Sequence, residues 1–104
     1  MNYTFPKLAY YDPEWIPLLE AAKELVGSMA VKYVCNALYA AAQSSNAHEK
    51  FSSRAEEMIS IIESALGDHG TVIGWLHANH PDVEFYSTSY RLAWIDHIIK
   101  ECQK

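Results

Sequence analysis

Apolar positions recur along the chain at three- and four-residue spacing. Trp15, Leu18, Leu19, Ala22, Leu25 and Val26 form one such stripe and predict a first helix. Asp12-Pro13-Glu14 signals its start, with Asp12 as N-cap and Pro13 at the first helical position. Pro17 inside a helix would remove a donor and clash one turn back, so regular helix is expected from near Ile16. Gly27 is the expected stop.

A second helix, capped by Ser28, is read over Ala30 to Gln43. Val31, Val34, Cys35, Ala37, Leu38, Ala41 and Ala42 cover most of its circumference. Lys32, Asn36 and Gln43 collect on a strip only about 40° wide. This predicts a helix buried on nearly all sides, with the core built around it. Ser44 to Ser52 reads as a polar connector. A capping box, Ser53 with Glu56, predicts the start of a third helix. Ala55, Met58, Ile59, Ile62, Ala65 and Leu66 form its buried stripe, and Arg54, Glu57, Ser60, Glu63 and Ser64 its solvated face. Gly67 ends it.

Asp68-His69-Gly70 predicts a turn, followed by a short fourth helix from Thr71 to Asn79 that Pro81 stops. Asp82 to Tyr86 reads as a loop or short extended piece. The last helix is predicted from Thr88 to Cys102. Its stripe of Leu92, Ile95, Ile99 and Cys102 is widened by Tyr90, Trp94 and Ile98 to an arc of about 200°. Ahead of the first helix, Tyr3, Phe5, Tyr10 and Tyr11, with Pro6 among them, predict an extended aromatic arm over residues 1–12. The arm either covers the core or is exchanged with a partner. The expectation is one all-α domain over residues 1–104, a compact bundle of four to five helices with that arm.

Composition narrows the function classes. The chain has 104 residues, half of them hydrophobic and a fifth charged, which fits one ordinary globular domain. A net charge of −5, with basic residues dispersed, argues against nucleic acid as a partner. No apolar run approaches the roughly 20 residues of a membrane span, so no membrane partner is expected. Met1 to Tyr10 lacks a charged segment followed by an apolar one, so no signal peptide is expected and cytoplasm is the expected location. Cys35 and Cys102 fall in apolar helical patterns and read as buried thiols rather than a disulfide.

Among candidate site residues, Arg91 stands out because it projects into the apolar arc of the last helix. A buried guanidinium must find acceptors or reach water. It either snorkels from the helix start or binds carbonyls at another helix end, or it contacts an anion or carboxylate at a buried interface or ligand pocket. Phe85, Tyr86, Tyr90 and Trp94 are the best candidates for a ligand or partner surface, since aromatics are enriched at interface cores and offer stacking faces. Their plain alternative is ordinary core.

His69, His77 and His80 lack a completed ligand spacing, so no metal is expected. Ala65 to Leu76 has the outline of a helix-turn-helix, but Ile73, Gly74 and His77 offer no base-reading side chain before Asn79. Hydrolase, phosphate-loop and dinucleotide motifs are absent, and an apolar helix would keep Cys35 inert. Neither an enzyme nor a cofactor is expected.

Tyr33-Val34-Cys35-Asn36-Ala37-Leu38, then Ala65-Leu66 leading to Ile73-Gly74-Trp75, then a final apolar helix, make an ordered pattern over Lys32 to Cys102. This pattern resembles an uncharacterised family of small helical proteins encoded by phages and bacteria. Leu76 and His77 depart from it, standing where the family has polar residues. The resemblance implies a compact helical fold and a mobile-element origin, and it carries no functional residues.

The resulting expectation is a non-enzymatic binding protein, a modulator of a host protein acting by protein contact. Self-association through the over-wide last helix is expected as well. The rival is a module that sequesters a nucleotide-like molecule between aromatic rings, with Arg91 or Lys32 on a phosphate. A small enzyme comes third.

Overall fold

The computed structural model describes residues 3–44, 49–82 and 88–104. They form five α-helices and, among the described residues, no strand: α1 (Ile16–Gly27), α2 (Val34–Ser44), α3 (Glu49–Leu66), α4 (Val72–Asn79) and α5 (Thr88–Cys102). The all-α fold with an aromatic N-terminal arm is therefore the one the hydrophobic pattern predicts.

The entry to α1 follows its caps. Asp12 Oδ1 accepts from the Glu14 N–H at 2.9 Å, and Pro13–Trp15 makes one 3-10 turn before the α-helix proper. Pro17 thus falls in the first turn of α1, where its missing N–H has no helical partner to lose. Arg54 of α3, expected in water, instead reaches back to this turn. It pairs with Glu14 Oε2 at 2.7 Å and stands 3.9 Å from Asp12 Oδ2.

The exit from α1 differs from expectation. Gly27 remains helical, and the left-handed residue that ends the helix is Met29, with φ of 64°. The Met29 N–H donates to Val26 O and the Ala30 N–H to Leu25 O, each at 3.1 Å. These bonds satisfy carbonyls that a helix end otherwise leaves open. Ser28, expected to cap the second helix, closes the first: its N–H donates to Glu24 O at 2.9 Å and its hydroxyl to Leu25 O at 3.2 Å.

The chain then runs without regular helix to Tyr33, whose carbonyl accepts the Ala37 N–H at 2.8 Å and opens α2. The second helix therefore starts at Val34, four residues later than Ala30. One side of it meets water. Val34, Ala37, Leu38, Ala41 and Ala42 are buried, whereas Asn36, Tyr39 and Gln43 are exposed. Tyr39 widens the strip that sequence periodicity assigned to Lys32, Asn36 and Gln43.

The hub of the bundle is α1 rather than α2. It packs on both α2 and α5, while α2 packs on α1 and α3. Trp15, Leu18, Leu19, Ala22 and Val26 meet Leu38, Met58, Ile62, Trp94, Ile95 and Ile98 in one buried cluster.

Helix α3 starts at Glu49, so Ser53 lies in its interior and the predicted capping box does not form. Its buried stripe agrees with the pattern, with Ala65 only partly covered. Gly67, at φ of 53°, opens the turn that ends it. Thr71 caps α4 by accepting the Gly74 N–H on Oγ1 at 3.0 Å. Gly74 has no room for a side chain, since a Cβ there would lie 2.5 Å from His69 O.

The arm is a strap across α4 and α5. Pro6 and Leu8 are buried, and the rings of Tyr3 and Phe5 lie 5.1 and 5.4 Å from Tyr90. The Phe5 ring also stacks on His97, with centroids 4.9 Å apart. Thr4 bonds at both ends of its peptide. Its N–H donates to His80 Nε2 at 2.8 Å, and its carbonyl accepts the Tyr90 hydroxyl at 3.2 Å.

The wide arc of α5 is thereby covered from within the chain, by α1 on one side and the arm on the other. A radius of gyration of 13.0 Å matches the value of about 13 Å for a packed domain of this length. The arc therefore no longer argues for self-association.

Candidate functional site

The observations that depart from ordinary core packing gather where α1 ends, α2 begins and α5 starts. Met29 combines two of them. Its left-handed backbone costs a side-chain-bearing residue roughly 1–2 kcal/mol relative to glycine. Its side chain, 76 % exposed, recovers little of that by burial. Tyr33, four residues on, is 40 % exposed. Beside them Val26, Met29, Val31, Lys32, Thr88 and Arg91 line a cleft of about 130 Å³.

Two cations and a hydroxyl thus face one small concavity with an apolar wall. Arg91 donates to Thr88 Oγ1 at 3.2 Å, which fixes its guanidinium near the first turn of α5. Partial burial pulls the Arg91 pKa below its ordinary value, and the neighbouring Tyr33 acts in the opposite direction. The cation stays charged, since guanidinium titrates far above neutrality. The first turn of α5 adds the positive end of a helix dipole to the same place. At the end of α1 the Glu24, Leu25 and Val26 carbonyls accept from the N–H groups of Ser28, Met29, Ala30 and Val31.

The structure separates the other residues singled out in the sequence. Tyr90 and Trp94 are interior: Tyr90 lies under the arm and Trp94 in the main cluster, so neither presents a face to a ligand. Burial raises the pKa of the Tyr90 hydroxyl. Phe85 and Tyr86 lie outside the described residues, as does most of the loop expected over Asp82 to Tyr86. Among the described members of the predicted group, Arg91 lines the cleft, joined there by Lys32.

Sequence reasoning passed over Met29 and Tyr33 as possible surface. A glycine at position 29 would have marked the turn, and a methionine gives no such signal.

The histidines do not converge. His69 and His77 are exposed, and His80 caps α4 with its ring held by the arm. Among the described residues no group of three or more His, Cys, Asp or Glu could hold a metal ion. Burial pushes the Cys35 thiol up to about 11, with Glu63 adding to the shift, which leaves it protonated and inert at neutral pH. Cys102 is also buried, and its pKa is raised mainly by desolvation.

The stretch Ala65 to Leu76, where the sequence outlines a helix-turn-helix, consists of the end of α3, a 3-10 turn at Gly67–His69 and the start of α4. Among the described residues, α4 offers His77, Ala78 and Asn79 to solvent. Asn79 Nδ2 is bonded to the Trp75 carbonyl at 2.9 Å. Among the described residues, no helix is long and apolar enough to cross a membrane.

Two other concavities are less distinctive. A groove of about 640 Å³ between α1 and α2 is lined by Ala21, Leu25, Gly27, Ser28 and Ala41, with Glu24 as its charge. A hollow of about 270 Å³ beside the arm brings together Phe5, Lys7, Tyr11, His97 and Glu101. Neither contains a strained residue or two cations facing one space. Comparison with known proteins finds no matching family model, no matching curated protein and no matching solved structure.

Proposed function

We propose that this chain is a small non-enzymatic binding protein, and that its working surface is the corner formed by Met29, Lys32, Tyr33 and Arg91. The reading rests chiefly on Met29. A long apolar side chain held out in water on a left-handed backbone lowers stability at a position where glycine would fit better. Strain of this kind persists where function uses the residue. Met, Tyr and Arg are also the residue types that protein interfaces enrich. The partner is taken to be a different protein, modulated by contact. A second copy of the chain is the other outcome, which light scattering of the purified protein separates.

The reading predicts opposite effects of one substitution. Met29→Gly relieves the backbone strain and raises unfolding free energy by about 1 kcal/mol. The same change removes a contact, so capture of the partner from host lysate falls by about tenfold, as it does for Tyr33→Ala. Ser60→Ala, on the solvated face of α3, serves as control and leaves capture unchanged. Equal capture by wild type and both corner variants would remove the proposal.

A further inference from the structure

We infer that His80 is a pH-sensitive latch on the N-terminal arm. With Nε2 bare it holds Thr4, and with Nε2 protonated it lets Tyr3 and Thr4 lift from α4 and α5. The inference does not draw on the corner at Met29 and Tyr33.

His80 follows α4 directly, and its half-buried ring meets a part of the chain 76 residues away. The Thr4 N–H donates to His80 Nε2 at 2.8 Å. A backbone N–H can only donate, so this contact requires Nε2 to be the unprotonated nitrogen of a neutral ring. Thr4 Oγ1 lies 2.8 Å and Thr4 O 3.2 Å from the same nitrogen. A proton on Nε2 would turn toward these oxygens. It would also set one N–H against another across the 2.8 Å gap to the Thr4 nitrogen. The Thr4 carbonyl already accepts the Tyr90 hydroxyl at 3.2 Å. Ring and arm therefore cannot keep this arrangement once the imidazole is charged.

Among the described residues, the rings facing His80 are Tyr3 of the arm at 5.8 Å, Tyr90 of α5 at 6.0 Å and Trp75 of α4 at 6.4 Å. Phenols carry no charge at neutral or acid pH. Asp82, two residues on, is exposed. His97, the second histidine against the arm, has the opposite preference. Its ring stacks on Phe5 at 4.9 Å, and an imidazolium is attracted to a phenyl face. In the hollow beside it Glu101 favours that charge, Lys7 opposes it and Tyr11 is neutral. Acid therefore acts on the Thr4 end of the arm and leaves Phe5 seated.

Proton linkage sets the direction. The docked arm excludes a proton from Nε2 and the lifted arm admits one. Docking is thus complete above the ordinary imidazole range, near about pH 6.5, and weakens as pH falls through it. Lifting uncovers the Tyr90 ring, which Tyr3 meets edge-on at 5.1 Å in the docked arm.

The test is a pH titration of the isotope-labelled full chain by nuclear magnetic resonance, from about pH 8 to about pH 5. The Thr4 amide is expected to move toward its random-coil position with the same midpoint as the His80 ring protons. The ratio of docked to lifted Tyr3, read from Tyr3–Tyr90 ring contacts, falls about tenfold, as loss of one hydrogen bond implies. Phe5–His97 contacts persist. His80→Gln keeps an acceptor but cannot titrate, so the Thr4 amide loses its pH dependence, whereas His97→Gln leaves the transition in place. The coincidence of midpoints is read in the unaltered chain, so the test stands even if His80→Gln displaces the arm. A Thr4 amide that does not move, that follows the His97 ring instead, or that still titrates in His80→Gln would overturn the latch.

Discussion

Trp94→Ala is expected to remove most of the stability of this chain. Trp94 has no exposed surface and lies on α5 in the main buried cluster, which also draws residues from α1, α2, α3 and the arm. Truncation of a buried tryptophan costs about 3–5 kcal/mol through lost burial and the cavity left behind. Domains of this size carry only about 5–15 kcal/mol in total. With a urea slope of about 1–3 kcal/mol per molar, the unfolding midpoint falls by about 2 M.

A second substitution isolates the cause. The indole N–H of Trp94 has no hydrogen-bond partner among the described residues, and a buried donor left so costs about 1–3 kcal/mol. Trp94→Phe removes that donor while keeping most of the ring, so it stays within about 1.5 kcal/mol of wild type. Urea unfolding followed by far-ultraviolet circular dichroism checks both. An alanine variant within 1 kcal/mol of wild type, on the order expected for a surface site, would place Trp94 outside the core.

Removal of residues 1–9 is expected to have the next largest effect. Among its described residues the arm has no regular structure, yet Pro6 and Leu8 are buried, and Tyr3 and Phe5 cover Tyr90 and His97. Removing the arm uncovers Tyr90 and His97 as well as losing the burial of Pro6 and Leu8 and the Thr4 bonds to His80 and Tyr90, and the ordering cost released in exchange offsets only part of this. The net loss is about 3 kcal/mol, or roughly 15 °C in Tm for a domain of this length.

Thermal unfolding of the full and shortened chains measures that difference. Repeating it over a range of protein concentrations separates a strap from an exchanged arm. A strap on its own domain gives a midpoint independent of concentration. A midpoint that rises with concentration would mean that the arm docks on a second copy.

These two features differ in how far the sequence disclosed them. Helix α5 was legible from Thr88 to Cys102, because its periodicity is strong and its boundaries are clear of competing signals. Gly67 as a stop and Asp12-Pro13 as an entry were legible because each depends on local chemistry. What covers α5 was not legible. An apolar arc shows that something covers it, and only the folded chain shows that the cover is α1 and the arm from Tyr3 to Leu8 rather than another molecule. For the same reason Tyr90 and Trp94 read equally as a partner surface or as ordinary core, and the structure makes them core.

The helix starts were misread where apolar or helix-favouring residues continue past the true boundary. Ala30 to Tyr33 keep the apolar period although the backbone leaves the helix at Met29, and Glu49 begins α3 well before the apparent capping box at Ser53. Half of the candidate site follows the same division. A charge in an apolar arc made Arg91 visible. Met29 and Tyr33 matter through backbone geometry and exposure, which leave no mark in composition.

The corner as working surface is tested most directly by photo-cross-linking in the host cell. A photoreactive phenylalanine analogue is placed at Tyr33 in one version of the chain and at Ser60 in another. Tyr33 lies beside the strained Met29 turn, and Ser60 lies on the solvated face of α3. The account predicts one discrete cross-linked species from position 33, none from position 60, and loss of that species when Met29→Gly is combined with the probe. Cross-linking from position 60 with none from position 33 would contradict it.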